Sequence, residues 1–162
     1  MSSRSAGHRF RMILKWTGIG VVVLSLVIQI VPYGRSHTNP PVQDEPSWNS
    51  PETQALVERA CYDCHSNVTK WPWYSHIAPA SWLVQRDVDE AREALNFTEW
   101  PEGAEEADEA AHEVEEGEMP MPIYAWLHSE ARLDETERQR LIRGLEATFG
   151  TEDDQEASEE SE

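Results

Sequence analysis

The chain alternates between three kinds of hydrophobic pattern. From Met12 to Val31 it is almost continuously apolar, broken by Lys15 and by mildly polar residues such as Thr17, Ser25 and Gln29. A helical stretch of that length covers about 30 Å, the thickness of a bilayer's hydrocarbon core. Lys15 lies in its first turn and can snorkel, Trp16 suits interface depth, and Pro32-Tyr33 closes the run. The pattern predicts a transmembrane helix over residues 12–33 after a short N-terminus, 1–11. A cleavable signal peptide is the competing reading, but Ile30-Val31-Pro32-Tyr33-Gly34 lacks the small residues of a cleavage site.

Residues 34–50 are polar and carry Pro40, Pro41 and Pro46, so they read as an extended, Pro-rich tether. From residue 51 the apolar positions recur at helical spacing. Ser50-Pro51 is a cap followed by proline at the first helical position, and that helix runs through Leu56 and Ala60 into Cys61. A second helix starts at Pro79 or Ser81 and ends at Leu95, with Val84, Val88, Ala91 and Leu95 on one face. A third spans Ala104 to Glu116 and stops at Gly117. The last is capped by Asp134 with Glu137 three residues on, carries Leu141, Ile142, Leu145 and Phe149 on one stripe, and stops at Gly150. Residues 151–162 hold almost nothing to bury and read as a disordered acidic tail. No strand signal is present. The predicted fold is all-α: one helical domain, 51–150, behind a single N-terminal membrane helix.

Charge sharpens the address. Of 162 residues 31 are acidic and 13 basic, a net −18. No acidic residue precedes Asp44, while Arg4, Arg9, Arg11, Lys15 and Arg35 lie in the N-terminal part. The remainder has eight basic against 31 acidic residues, or −23. By the positive-inside bias the N-terminus stays in the cytoplasm and the domain is exported, which reads as a single-pass protein of the cytoplasmic membrane with its domain on the extracytoplasmic side. A field of that sign disfavours nucleic acid. It can steer a basic protein partner, or simply keep the domain soluble.

The only two cysteines lie in Cys61-Tyr62-Asp63-Cys64-His65, the C-x-x-C-H spacing of c-type haem attachment. Two thiols three apart can bond the two vinyl groups of one porphyrin, and the histidine that follows can take the iron as proximal ligand. A thioredoxin-like site needs a βαβ setting that the pattern lacks. A zinc site needs further ligands, for which only scattered His76, His112 and His128 are on offer. One covalent haem c is therefore the expected cofactor. For the sixth ligand Met119, in Gly117-Glu118-Met119-Pro120, leads, Met121 is the alternative, the three histidines follow, and an open or water-bound position is the remaining reading. The prolines flanking Met121 hold that stretch out of helix. Trp71, Trp73, Tyr74, Trp82, Trp100, Tyr124 and Trp126 are expected to form mostly an aromatic core, with Tyr74, Trp82, Tyr124 and Trp126 as candidates to line the pocket. Asn67 and Asn96 match the glycosylation sequon, a pattern short enough to arise by chance.

Cys61 to Asn67, then Thr69, Trp71-Pro72-Trp73-Tyr74-Ser75, Ile77-Ala78-Pro79, Ser81-Trp82-Leu83 and Leu95-Asn96-Phe97 resemble the bacterial haem-binding domain family. Gly117-Glu118-Met119-Pro120, Tyr124, His128 and Ala131-Arg132-Leu133 extend the likeness over roughly residues 50–148. The resemblance implies a helical fold similar to small class I cytochromes c, one covalent haem, and histidine and methionine on opposite sides of the iron. The expected function is an electron-transfer module rather than an enzyme, working with redox protein partners. The alternative is a haem-based sensor or a ligand-binding, peroxidase-like accessory protein. No catalytic triad, carboxylate pair or phosphate loop stands out.

Overall fold

The computed structural model describes residues 3–104 and 106–150, and the acidic tail read at 151–162 lies outside them. Among the described residues the fold is all-helical, without strands: α1 (Ser3–Ile28), α2 (Pro51–Ala60), α3 (Ala80–Ala94), α4 (Ala110–Glu116), α5 (Pro122–Leu127) and α6 (Glu135–Phe149). Short 3-10 turns occupy Trp73–His76 and Ser129–Ala131. The chain divides into two compact units. One contains the residues up to His37 and Pro72–Arg86, the other Thr38–Trp71 and everything from Asp87 onward.

The first unit is dominated by α1. Within it, Arg9–Ile28 is 20 residues long with mean hydropathy 1.8, enough by length and composition to cross a membrane. The helix starts earlier than the apolar pattern predicts and ends sooner. Its last turn tightens into three-residue hydrogen bonds, from Gln29, Ile30 and Val31 N–H to Leu26, Val27 and Ile28 carbonyls.

The second unit is built on α6. Its N-terminus is a reciprocal cap: Glu137 N–H donates to Asp134 Oδ1 at 2.8 Å, and Asp134 N–H donates to Glu137 Oε2 at 3.0 Å. Leu141, Ile142 and Leu145 are buried and face Leu56 and Val57 of α2 and Ala111 and Val114 of α4 within one core. The α2–α6 crossing is close because position 144 has no side chain. A Cβ built on Gly144 would lie 2.6 Å from Thr53 Cγ2, and Thr53 is itself buried.

α4 begins six residues later than the predicted start at Ala104. The chain instead folds back on Asn96: Asn96 N–H donates to the Gly103 carbonyl at 2.7 Å, and Gly103 N–H to the Glu99 carbonyl at 2.7 Å. α5 was not anticipated, since six residues are too few to show a period.

The aromatic core also differs from the expected set. Phe97 sits at its centre, with Trp48 at 5.4 Å, Tyr62 at 5.9 Å and Phe149 at 6.1 Å between ring centroids, and Trp100 packs on Phe149 at 5.1 Å. Of the seven predicted aromatic residues only Trp100 belongs to this cluster, whereas Trp73 and Trp126 are 76 % and 71 % exposed. Trp48 comes from the segment read as a tether. That segment has no regular structure, yet Gln43 N–H donates to the Thr98 carbonyl and Trp100 N–H to the Asp44 carbonyl, so it is bonded onto the helical unit. Both sequon asparagines, Asn67 and Asn96, are buried at 2 % exposure, which closes them to modification.

Replacing Gly144 by valine should force α2 and α6 apart and cost about 2 kcal/mol, within the range for over-packing a tight contact. Denaturant unfolding of the variant beside the parent measures this, and Gly144→Val with unchanged stability would contradict the close crossing.

Candidate functional site

The second unit contains a cavity of about 350 Å³, in the range of roughly 300–1,000 Å³ that small-molecule and cofactor sites occupy. Cys61, Cys64 and His65 form part of its wall, and Met119, Met121 and Tyr124 form another part. Ala91 and Ala94 of α3 and Ala110 of α4 leave room where those helices approach.

α2 carries the cysteine motif directly. Its last turn continues through Cys61, whose N–H donates to the Val57 carbonyl at 2.8 Å. The chain then turns tightly, with Cys64 and His65 N–H both donating to the Cys61 carbonyl, at 3.1 and 2.9 Å. This turn brings both sulfurs and the imidazole to one side.

The imidazole is oriented by the chain after α3. His65 Nδ1 lies 3.0 Å from the Leu95 carbonyl. A carbonyl only accepts, so Nδ1 carries the proton and Nε2 keeps a lone pair, the arrangement of a metal-ligating histidine with an outer-shell acceptor. Burial holds the His65 pKa below its ordinary value, which keeps the ring neutral. Phe97 N–H donates back to the His65 carbonyl at 3.0 Å.

Around this pair lies a buried polar network. Asn67 N–H donates to Thr98 Oγ1 at 2.7 Å, Asn96 Nδ2 donates to Asn67 Oδ1 at 3.0 Å, and Thr98 Oγ1 donates to Asn96 Oδ1 at 2.9 Å. Arg92 adds bonds to the Ser66 carbonyl at 2.8 Å and to Thr69 Oγ1 at 2.9 Å.

The methionine segment is placed by the end of α4. Met119 N–H donates to the Glu113 carbonyl at 3.1 Å, and the Met119 side chain packs partly buried against the core. Met121 is the residue before α5, and both methionines line the cavity. Tyr124, in the first turn of α5, donates its hydroxyl to Asp63 Oδ2 at 2.6 Å, and Asp63 Oδ1 accepts from Lys70 N–H at 3.1 Å. Burial, reinforced by this bond, raises the Tyr124 pKa. The methionine side of the cavity is thus tied to the middle of the cysteine motif.

The other candidates lie elsewhere. Trp126 is exposed, and Trp82 and Tyr74 belong to the first unit, so none of the three lines the cavity. Neither His76, His112 nor His128 does so. His128 stacks on Tyr124 with centroids 4.2 Å apart, its Nδ1 3.1 Å from the Tyr124 carbonyl. Sequence reasoning missed Asp87, Glu90, Glu106, Glu109 and Glu113 at the cavity. Their helical spacing on either side of the alanines was the available signal.

The donor set suits a haem: two thiols, a neutral imidazole and two thioethers around a small-residue wall. The sequence profile of the haem-binding domain family matches residues 23–147. The chain belongs to that family, and it is a haem-binding protein. No curated protein and no solved structure matches it.

Both thiols are held in the protonated form. Desolvation pushes Cys61 up to about 12 and Cys64 up to about 11, with the Cys64 and Asp63 charges adding to the respective shifts. In the folded haem-free chain, iodoacetamide should therefore alkylate both far more slowly at pH 8 than in the denatured chain, the rate rising as pH increases toward 11. Equal rates for folded and denatured chain would contradict the apolar setting. Tyr124→Phe should lower stability by about 1 kcal/mol, because the acceptor is charged but the pair is only partly buried. The parent's advantage should be complete below pH ~10, the ordinary tyrosine range, and disappear as the pH rises past it, because only the unfolded phenol then ionises readily.

Proposed function

We propose that this protein is a membrane-anchored monohaem c-type cytochrome that transfers electrons outside the cytoplasm. The observation that carries the proposal is the convergence of Cys61, Cys64 and His65 with Met119 and Met121 on one cavity. The two cysteine sulfurs would hold the haem by thioether bonds, and His65 Nε2 and Met119 would ligate its iron, with Met121 as the alternative to Met119. Bound there, haem supplies one-electron cycling between ferrous and ferric iron. The chain's contribution is to fix the imidazole through Leu95, to bring methionines to the same cavity, and to line that cavity largely with apolar side chains. Methionine ligation raises the potential, while the carboxylates of Asp87, Glu90 and Glu113 act against that by favouring the more positive oxidised state.

α1 is read as the anchor, with Arg9 and Arg11 near its N-terminal end on the cytoplasmic side and the haem unit on the periplasmic side. A net charge of −18, with exposed Glu90, Glu106 and Glu109 at the cavity, supports a basic redox protein as partner.

Produced in cells with the cytochrome-maturation machinery, the protein should be coloured, carry the mass of one haem under denaturing conditions, and cycle reversibly in a redox titration. Met119→Ala should admit carbon monoxide to the reduced protein and lower its potential, whereas Met121→Ala should leave both unchanged. A colourless protein would overturn covalent attachment. Ready carbon monoxide binding by the parent would replace electron transfer with a ligand-sensing role.

A further inference from the structure

The exit of α1 is fixed to a segment some fifty positions further along the chain. The Gln29 amide donates from Nε2 to the Ala78 carbonyl at 2.9 Å and accepts the Ala78 N–H at Oε1, at 3.0 Å. Gly34, at φ 73°, closes on the Ser81 backbone so tightly that a Cβ would sit 2.6 Å from its carbonyl carbon. His37 Nε2 reaches the Ser75 carbonyl at 3.0 Å, and its ring stands edge-on to His76 with centroids 4.3 Å apart. All of these residues fall within the first unit.

Depth in a membrane follows from this bonding, on the reading that α1 spans the bilayer. Gln29 is the first residue after the membrane-length helical span Arg9–Ile28, so its side chain lies near the edge of the hydrocarbon. Arg35 folds back to donate to the Gln29 carbonyl, placing a cation at the same level. Ala78, hydrogen-bonded in both directions to Gln29, must lie within a few ångströms of that edge. Its neighbour Ile77 is 49 % exposed and Trp73, in the preceding 3-10 turn, 76 % exposed. In water those side chains are an uncovered apolar surface. In the headgroup region an indole and an aliphatic side chain are favoured.

We propose that the Trp73–Ile77 turn is a second membrane contact, seated in the headgroup–acyl boundary of the bilayer that α1 crosses. The occupant of this surface is lipid, and the reciprocal Gln29–Ala78 pair holds the turn at interface depth.

The test uses the full-length, haem-loaded protein in nanodiscs of phosphatidylcholine and phosphatidylglycerol, doped with a phosphatidylcholine whose acyl chain carries a diazirine near the headgroup. Trypsin cuts after Lys70 and Arg86, which isolates the turn in a single peptide, and after Arg92 and Arg132, which isolates Ile123 and Trp126. Ile123 and Trp126 are 63 % and 71 % exposed, so they report labelling that follows exposure alone. After illumination the Trp71–Arg86 peptide should carry several-fold more lipid adduct than the control peptide, and Trp73→Ser should reduce that excess. Label confined to the α1 peptides, or equal on the two peptides compared, overturns the proposal and leaves the anchor standing. No adduct on any peptide overturns the anchor, and the second contact with it.

Discussion

The hydrogen bond between the His65 ring and the Leu95 carbonyl is the constraint on which the site depends. Leu95 follows the last turn of α3, and its own N–H still donates to the Ala91 carbonyl at 2.9 Å. Carbonyls at a helix C-terminus lack intrahelical partners. One of them is used here to orient an imidazole. The same bond fixes the tautomer, so a single interaction satisfies a helix end and leaves Nε2 with its lone pair. Phe97 N–H then returns a bond to the His65 carbonyl, and the Asn67–Asn96–Thr98 network lies directly behind. Each of those buried amides and hydroxyls would be costly to leave unpaired. Displacing the residues after α3 would therefore break several bonds together, which makes the histidine's position stiff.

The methionine side of the cavity depends on the motif to which it is bonded. Asp63, one of the two spacer residues between the cysteines, accepts from the Tyr124 hydroxyl and the Lys70 N–H with its two carboxylate oxygens. The spacer positions of C-x-x-C-H have no part in bonding a porphyrin, so their identity is free for other uses. Here one of them fixes the helix that follows Met121, and the spacing of the methionine segment from the cysteines is set by a side chain inside the motif. Tyr62, the other spacer, packs in the core on Phe97.

Much of this was legible in the sequence because the signals were local. The Ser50-Pro51 and Asp134-x-x-Glu137 caps locate α2 and α6 to within a residue, and Gly117 and Gly150 mark the ends of α4 and α6. Cysteine spacing picked out one wall of the cavity, and the Met-Pro-Met stretch picked out another. What escaped depended on distant pairing. Nothing local to Trp48 indicates that a proline-rich stretch folds onto Phe97 and Phe149, and nothing local to Gly103 shows that its carbonyl takes the Asn96 N–H in place of a first helical turn. Tryptophan count was a poor guide to the core for a similar reason. A large ring is as useful at an interface as in an interior, and Trp73 and Trp126 remain exposed.

Burial and neighbouring negative charge act together on the two thiols and against each other at His65. The apolar wall raises both thiols and keeps His65 neutral, so the folded chain presents unreactive sulfurs. Unfolding removes that desolvation, so the same sulfurs are more reactive in the unfolded chain than in the folded one. Carboxylates on the α3 and α4 faces then leave a negative surface at the cavity. That surface contributes little to folding, since exposed charges are well solvated, and its physical effect falls on the iron's potential and on the sign of whatever approaches.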